Sequence, residues 1–168
     1  MKKVVILVTV LMVIVGITAF INKSNLHEKA TSQADAILRI KADDIETEVD
    51  FNTIKALEEV EFAAVLRSSG KPDVDTTFKG VQLKDILDKM EIDIAGKAQI
   101  VTKAVDAYTV ALSMAEVLED DNVYVVYERD GANLETKKDG GSGPYMLVIR
   151  NDQFGQRWNK FLMEITLQ

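Results

Sequence analysis

Few residues of this chain could do bond-breaking chemistry. There is no cysteine and only one histidine, His27. Cys–His and Ser–His nucleophile schemes therefore have no parts to work with, and neither does a Cys/His zinc site. The carboxylate groups Asp73-x-Asp75 and Glu119-Asp120-Asp121 lack the spacing of an EF-hand loop and read as solvated surface. No phosphate loop of the P-loop or dinucleotide type is present. What remains suits binding. Arg67-Ser68-Ser69 sit together in one polar stretch, Arg157 adjoins the only tryptophan, Trp158, and Gly140-Gly141-Ser142-Gly143-Pro144 allows close backbone approach. Guanidinium groups donate to carbonyl, carboxylate or phosphate oxygens, an indole offers a stacking face, and glycine amides face a ligand without a Cβ in the way.

Those residues need a scaffold, and periodicity supplies one. Ala36–Ile40, Val60–Leu66, Gln99–Val105, Tyr108–Leu112, Asn122–Tyr127, Tyr145–Ile149 and Phe161–Leu167 read as short strands. Asp50 or Asn52 can cap a short helix through Leu57. Leu83, Ile86, Leu87 and Met90 make one apolar face of a helix over Gln82–Met90. Ser113 and Glu116 form a capping box for another helix ending at Leu118. Asp130-Gly131 marks a tight turn into a return segment near Leu134. Many short strands with a few short helices, and no strand–long-helix alternation, predict an α+β fold.

The N-terminus is of a different kind. After Met1-Lys2-Lys3, residues Val4 to Ile21 are apolar except for Thr9, Gly16 and Thr18. At 1.5 Å per residue this run spans about 27 Å, close to the hydrocarbon thickness of a bilayer. The preceding lysines favour a cytoplasmic N-terminus and an exported remainder. The expected organisation is a signal-anchor or signal peptide over 1–23, a polar tether over 24–34 and one domain over 35–168. The expected location is outside the cytoplasm, held at the membrane by this helix or released if it is cleaved. The formal net charge of −7 becomes more negative once Lys2, Lys3 and Lys23 are set aside. Such a domain is a poor partner for nucleic acid.

From Phe78 onward several short motifs occur in a telling order. They are Phe78-Lys79-Gly80-Val81-Gln82-Leu83, Asp106-Ala107-Tyr108, Asp130-Gly131-x-x-Leu134, and Gly143-Pro144-Tyr145-Met146-Leu147-Val148-Ile149 followed by Arg157-Trp158-x-Lys160. Together they resemble the molybdopterin-binding domain of the sulfite oxidase family, with a looser match back to about Asp35. The resemblance implies that family's mixed, β-rich fold with short helices. It also implies a pterin-facing surface formed by Arg67, Ser68, Ser69, Tyr108, Gly141, Gly143, Arg157 and Trp158. In catalytic members a cysteine thiolate holds the molybdenum. The matching stretch here, Phe62 to Gly70, keeps Arg67 but offers no thiolate, and Met146 stands where those enzymes use a cofactor-holding arginine. Serine is no equivalent for a soft thiolate ligand. The resemblance thus implies a pterin or molybdopterin-type ligand without molybdenum, bound without catalysis and open to presentation to a membrane or extracytoplasmic protein partner. A molybdopterin-dependent oxidoreductase and a ligand-free interaction module are the alternatives.

Overall fold

The computed structural model describes residues 33–67 and 72–168. The apolar run Val4–Ile21, most of the tether, and Ser68 and Ser69 lie outside these residues. Among the described residues no helix is long and apolar enough to cross a membrane.

The described chain is β-rich with three short helices. Its elements are β1 (Ile37–Ala42), β2 (Ile45–Asp50), α1 (Phe51–Lys55), β3 (Val60–Leu66), β4 (Val74–Gln82), α2 (Leu83–Lys89), β5 (Gln99–Ala104), β6 (Thr109–Ser113), α3 (Met114–Leu118), β7 (Val123–Arg129), β8 (Ala132–Asn133), β9 (Met146–Ile149) and β10 (Leu162–Leu167). One sheet runs β2-β1-β10-β5-β6, and β1–β10 is a parallel pair that ties the last strand to the first. The second runs β3-β4-β7-β8, with β9 also paired to β7.

Local chemistry sets the helix starts. The Asp50 side chain accepts from the Thr53 N–H at 2.7 Å and opens α1. At α3 the Ser113 hydroxyl accepts from the Glu116 N–H while the Glu116 carboxylate takes the Ser113 N–H, so two orphan donors are satisfied reciprocally. The apolar face expected for α2 is buried through Leu83, Ile86 and Leu87.

A single hydrophobic cluster draws on both sheets, from Leu38, Ile40, Ile100 and Ile165 to Phe78, Val125, Leu147 and Trp158. Strand β9 is buried along its whole length, which explains its unbroken apolar sequence. Gly80 lies at an irregularity between β4 and β7, and a Cβ there would sit 2.3 Å from the Val125 carbonyl oxygen. Only glycine lets these two strands pair so closely. Two strands, β2 and β4, have no counterpart in the sequence reading. β2 is acidic and mostly exposed, its alternation of Ile45, Thr47 and Val49 with Glu46, Glu48 and Asp50 being short and only partly apolar, and β4 begins in the polar run Val74-Asp75-Thr76-Thr77.

Candidate functional site

A cleft of about 470 Å³ opens beside the end of β3. Its walls are Ala63, Ala64, Val65 and Arg67 from β3 and its exit, Asp120 and Asp121 before β7, the run Arg150 to Gln153 after β9, and Trp158. The volume lies within the range of about 300–1,000 Å³ that small-molecule sites occupy. Ala63, Ala64 and Val65 form an apolar floor inside β3, and the polar walls come from strand exits and turns, where backbone leaves the ladder.

The charges in the cleft are arranged in pairs. Arg67 Nε donates to Asp73 at 3.1 Å and its Nη1 donates to the Gln153 carbonyl at 2.9 Å, which ties the β3 exit to the β9 exit. Arg150 lies 3.2 Å from Asp121, with its guanidinium carbon 4.9 Å from the Phe62 ring centre and 5.9 Å from that of Tyr124. Asp121 takes a left-handed backbone at φ 62° and accepts from the Tyr124 hydroxyl at 2.5 Å. Burial, reinforced by that carboxylate, pushes the Tyr124 phenol up to about 12. It stays a neutral donor through physiological pH. Asp120 is held low by its bond from Lys84.

Below the rim, buried Asn122 organises the backbone. Its amide donates to the Glu116 carbonyl at 3.1 Å and to Glu119 at 2.9 Å, and its oxygen accepts from the Asn151 N–H. Arg157 donates through Nε to Asp152 at 2.9 Å, through Nη2 to the same carboxylate, and through Nη1 to Glu116 at 2.9 Å. These partners raise Arg157 further above its ordinary value. Arg157 therefore clamps the 152–157 turn to α3.

The residues singled out in the sequence separate accordingly. Arg67 and Trp158 meet in the cleft. Trp158 does so as a core residue: it is 6% exposed, its Nε1 donates to the Ile149 carbonyl at 3.1 Å, and its ring meets Phe78 edge-on at 5.7 Å. Little of its face is open for stacking. Arg157 holds a wall from behind and is not among the lining residues. Tyr108 is exposed, donates to the Gln156 carbonyl at 2.7 Å, and also lies off the lining. Gly141 and Gly143 do not line the cleft either. A Cβ at Gly141 would lie 1.9 Å from the Glu135 carbonyl oxygen, and one at Gly143 would lie 2.5 Å from Leu134 Cβ. Those glycines make room for their own chain, which is a packing reason and not the ligand approach expected of them.

Arg150 and Asp152 are cleft residues that the sequence reading passed over, and Asp120 and Asp121, read there as solvated surface, also line the cleft. The available signal was slight: a cation directly after a buried strand, opening the polar loop Arg150-Asn151-Asp152-Gln153.

A family model described as the oxidoreductase molybdopterin binding domain matches residues 28–168. The chain belongs to this family. Among solved structures that match this molybdopterin-binding domain is the crystal structure of the sulfane dehydrogenase SoxCD from Paracoccus pantotrophus. The TM-score is 0.65 at 14% identity, over 80% of this chain and 38% of that one. At that identity the likeness is one of fold, and this chain spans well under half the length of that relative. No curated protein matches the sequence.

The family name implies a molybdopterin-type cofactor, and the residues present fit it only in part. The cleft has room for a planar heterocycle and carries donors and acceptors on facing walls. The metal does not fit. The chain has no cysteine to supply a thiolate, and among the described residues no group of three or more His, Cys, Asp or Glu side chains is placed to hold an ion.

Proposed function

We propose that this molybdopterin-binding-family domain binds a pterin-like heterocycle without catalysing redox chemistry, outside the cytoplasm and tethered to the membrane by its N-terminal segment. One observation carries the reading: the cleft keeps the size and polar walls of a small-molecule site in a chain that has no soft ligand for a metal. Facing carboxylates and guanidinium groups suit a ring edge that alternates N–H donors with carbonyl and ring-nitrogen acceptors. The ligand must exchange some of the internal pairs for its own, so affinity depends on how well it replaces them. The apolar run behind two lysines supports the tether.

The test is direct. The full chain is purified under native conditions and examined for pterin fluorescence, for molybdenum by elemental analysis, and for thermal shift with a panel of pterins with and without a phosphate. Bound or stabilising pterin at negligible molybdenum is the expected result. Stoichiometric molybdenum would replace this reading with the oxidoreductase. No heterocycle and no shift across the panel would leave an interaction module. Protease digestion of intact and permeabilised cells checks the location, and protection lost only when the cytoplasmic membrane is opened would refute export.

A further inference from the structure

The free edge of β3 is a second feature, independent of any ligand. β3 ends its sheet and pairs only with β4, in a register that sets Ala63 opposite Thr77. Thr77 directs both backbone groups the other way: its N–H donates to Asp130 Oδ1 and its carbonyl accepts from the Asp130 N–H, each at 2.8 Å. In an antiparallel ladder this makes Ala63–Thr77 a non-hydrogen-bonded pair, so Ala63 also points its N–H and C=O away from β4. The same parity turns out the backbone groups of Glu61 and Val65. Among the described residues no other segment takes them.

Proteins usually blunt such an edge with charge, proline, a bulge or short length. β3 has seven residues, Val60-Glu61-Phe62-Ala63-Ala64-Val65-Leu66, with one charge, no proline and an unbroken register against β4. Of the other outer strands, β2 carries Glu46, Glu48 and Asp50, β8 has two residues, and the uncharged β6 is shorter than β3 at five. Two clefts share Ala63, Ala64 and Val65 in their walls: the one described above, and another of about 310 Å³ bounded by Asp75, Thr76, Thr77 and Asp130. An added strand would run along these shared walls.

We propose that β3 is a docking edge for an extended segment of another protein, which adds as a strand with small apolar residues at its centre and Lys or Arg at its ends. The charge around the edge selects that chemistry. Glu61 and Asp75 are exposed there with no ion pair among the described residues, while Asp73, Asp120 and Asp121 are matched by Arg67, Lys84 and Arg150, which leaves the edge net acidic. A second copy of this acidic chain would bring like charges together across the seam.

The probe is the blocked peptide Lys-Val-Thr-Val-Ala-Val-Lys, titrated into the full chain without pterin and followed by amide hydrogen exchange. Binding with new protection at the Glu61, Ala63 and Val65 amides is expected, with no binding of a Glu-ended peptide or of one N-methylated at alternate residues. Ala63→Lys charges the edge without touching the β4 ladder, and Ala63→Pro deletes one outward donor. Each should weaken binding by about tenfold or more while the unbound melting curve stays folded. No protection at those three amides, or protection at Thr109–Ser113 instead, overturns the proposal. Dimerisation in sedimentation that Ala63→Lys abolishes would overturn it too, because the edge would then belong to a second copy.

Discussion

Trp158 tests the division between core and cleft most sharply. Its side chain is nearly all buried, meets Phe78 edge-on and donates to the Ile149 carbonyl. Truncation to alanine at such a site costs about 3–5 kcal/mol, in which the aromatic pair contributes about 0.5–1.5 kcal/mol. For a domain of this size that lowers Tm by about 10–20 °C and consumes a large part of a typical stability of about 5–15 kcal/mol. Trp158→Phe keeps most of the ring contact and loses the indole N–H. The Ile149 carbonyl then retains a longer bond from the Asp152 N–H at 3.3 Å. The phenylalanine variant should therefore lose only about 1–2 kcal/mol. Urea titrations of both variants, with a pterin titration on the folded phenylalanine variant, give the answer. If Trp158 is a wall and not a stacking platform, pterin affinity in that variant changes by less than about threefold, under 1 kcal/mol. A loss below about 1 kcal/mol for the alanine variant, or abolished binding in a fully stable phenylalanine variant, would refute this account.

Arg150→Ala removes a half-exposed ion pair and the cation over two rings, so it should cost about 1–2 kcal/mol in urea and weaken pterin binding measured by calorimetry. Unchanged affinity would take Arg150 out of the site. Gly80→Ala forces a Cβ against the Val125 carbonyl and should destabilise by at least about 1–3 kcal/mol in thermal melts, with an unaltered Tm counting against the β4–β7 geometry. Glu116 is held below its ordinary value chiefly by the Ser113 N–H; burial opposes this as the next-largest effect, and Arg157 and the Ser113 hydroxyl add to the lowering. A depressed carboxyl stabilises the fold above its unfolded value, near 4.5, and that contribution fades as pH falls through the lower folded value. Glu116→Gln should flatten the acid limb of stability between pH 5 and pH 3, and an identical limb would remove Glu116 from the balance. Ser113→Ala breaks the capping box at α3 and should cost about 1 kcal/mol by urea denaturation.

Much of the scaffold was legible because its signals are local. Val60–Leu66 alternates and is a strand with those bounds, Asp50 and Ser113 are caps, and the 3.6-residue period of Leu83, Ile86 and Leu87 needs no partner to be read. β2 and the first half of β4 were not, since β2 alternates over only six residues rich in acid and the start of β4 is polar, and both are fixed by a neighbour's ladder. Which residues would share the cleft was legible only in part. Arg67 and Trp158 line the cleft, but the sequence treated Gly141, Gly143 and Tyr108 as part of the same surface, and the fold uses them to seat their own turns.

By itself the sequence determined what this protein lacks and what family it belongs to. Without cysteine the chain has no side-chain thiolate to offer molybdenum, a matter of composition that no folding can alter. Tertiary structure alone decided which residues share a cleft. Arg67 and Gln153 are far apart in the chain and become neighbours because the exits of β3 and β9 converge beyond two paired strands. It also decided that Trp158 is spent on the core and that the backbone of β3 faces outward unpaired. Register and parity set both, and they exist only once the strands have met.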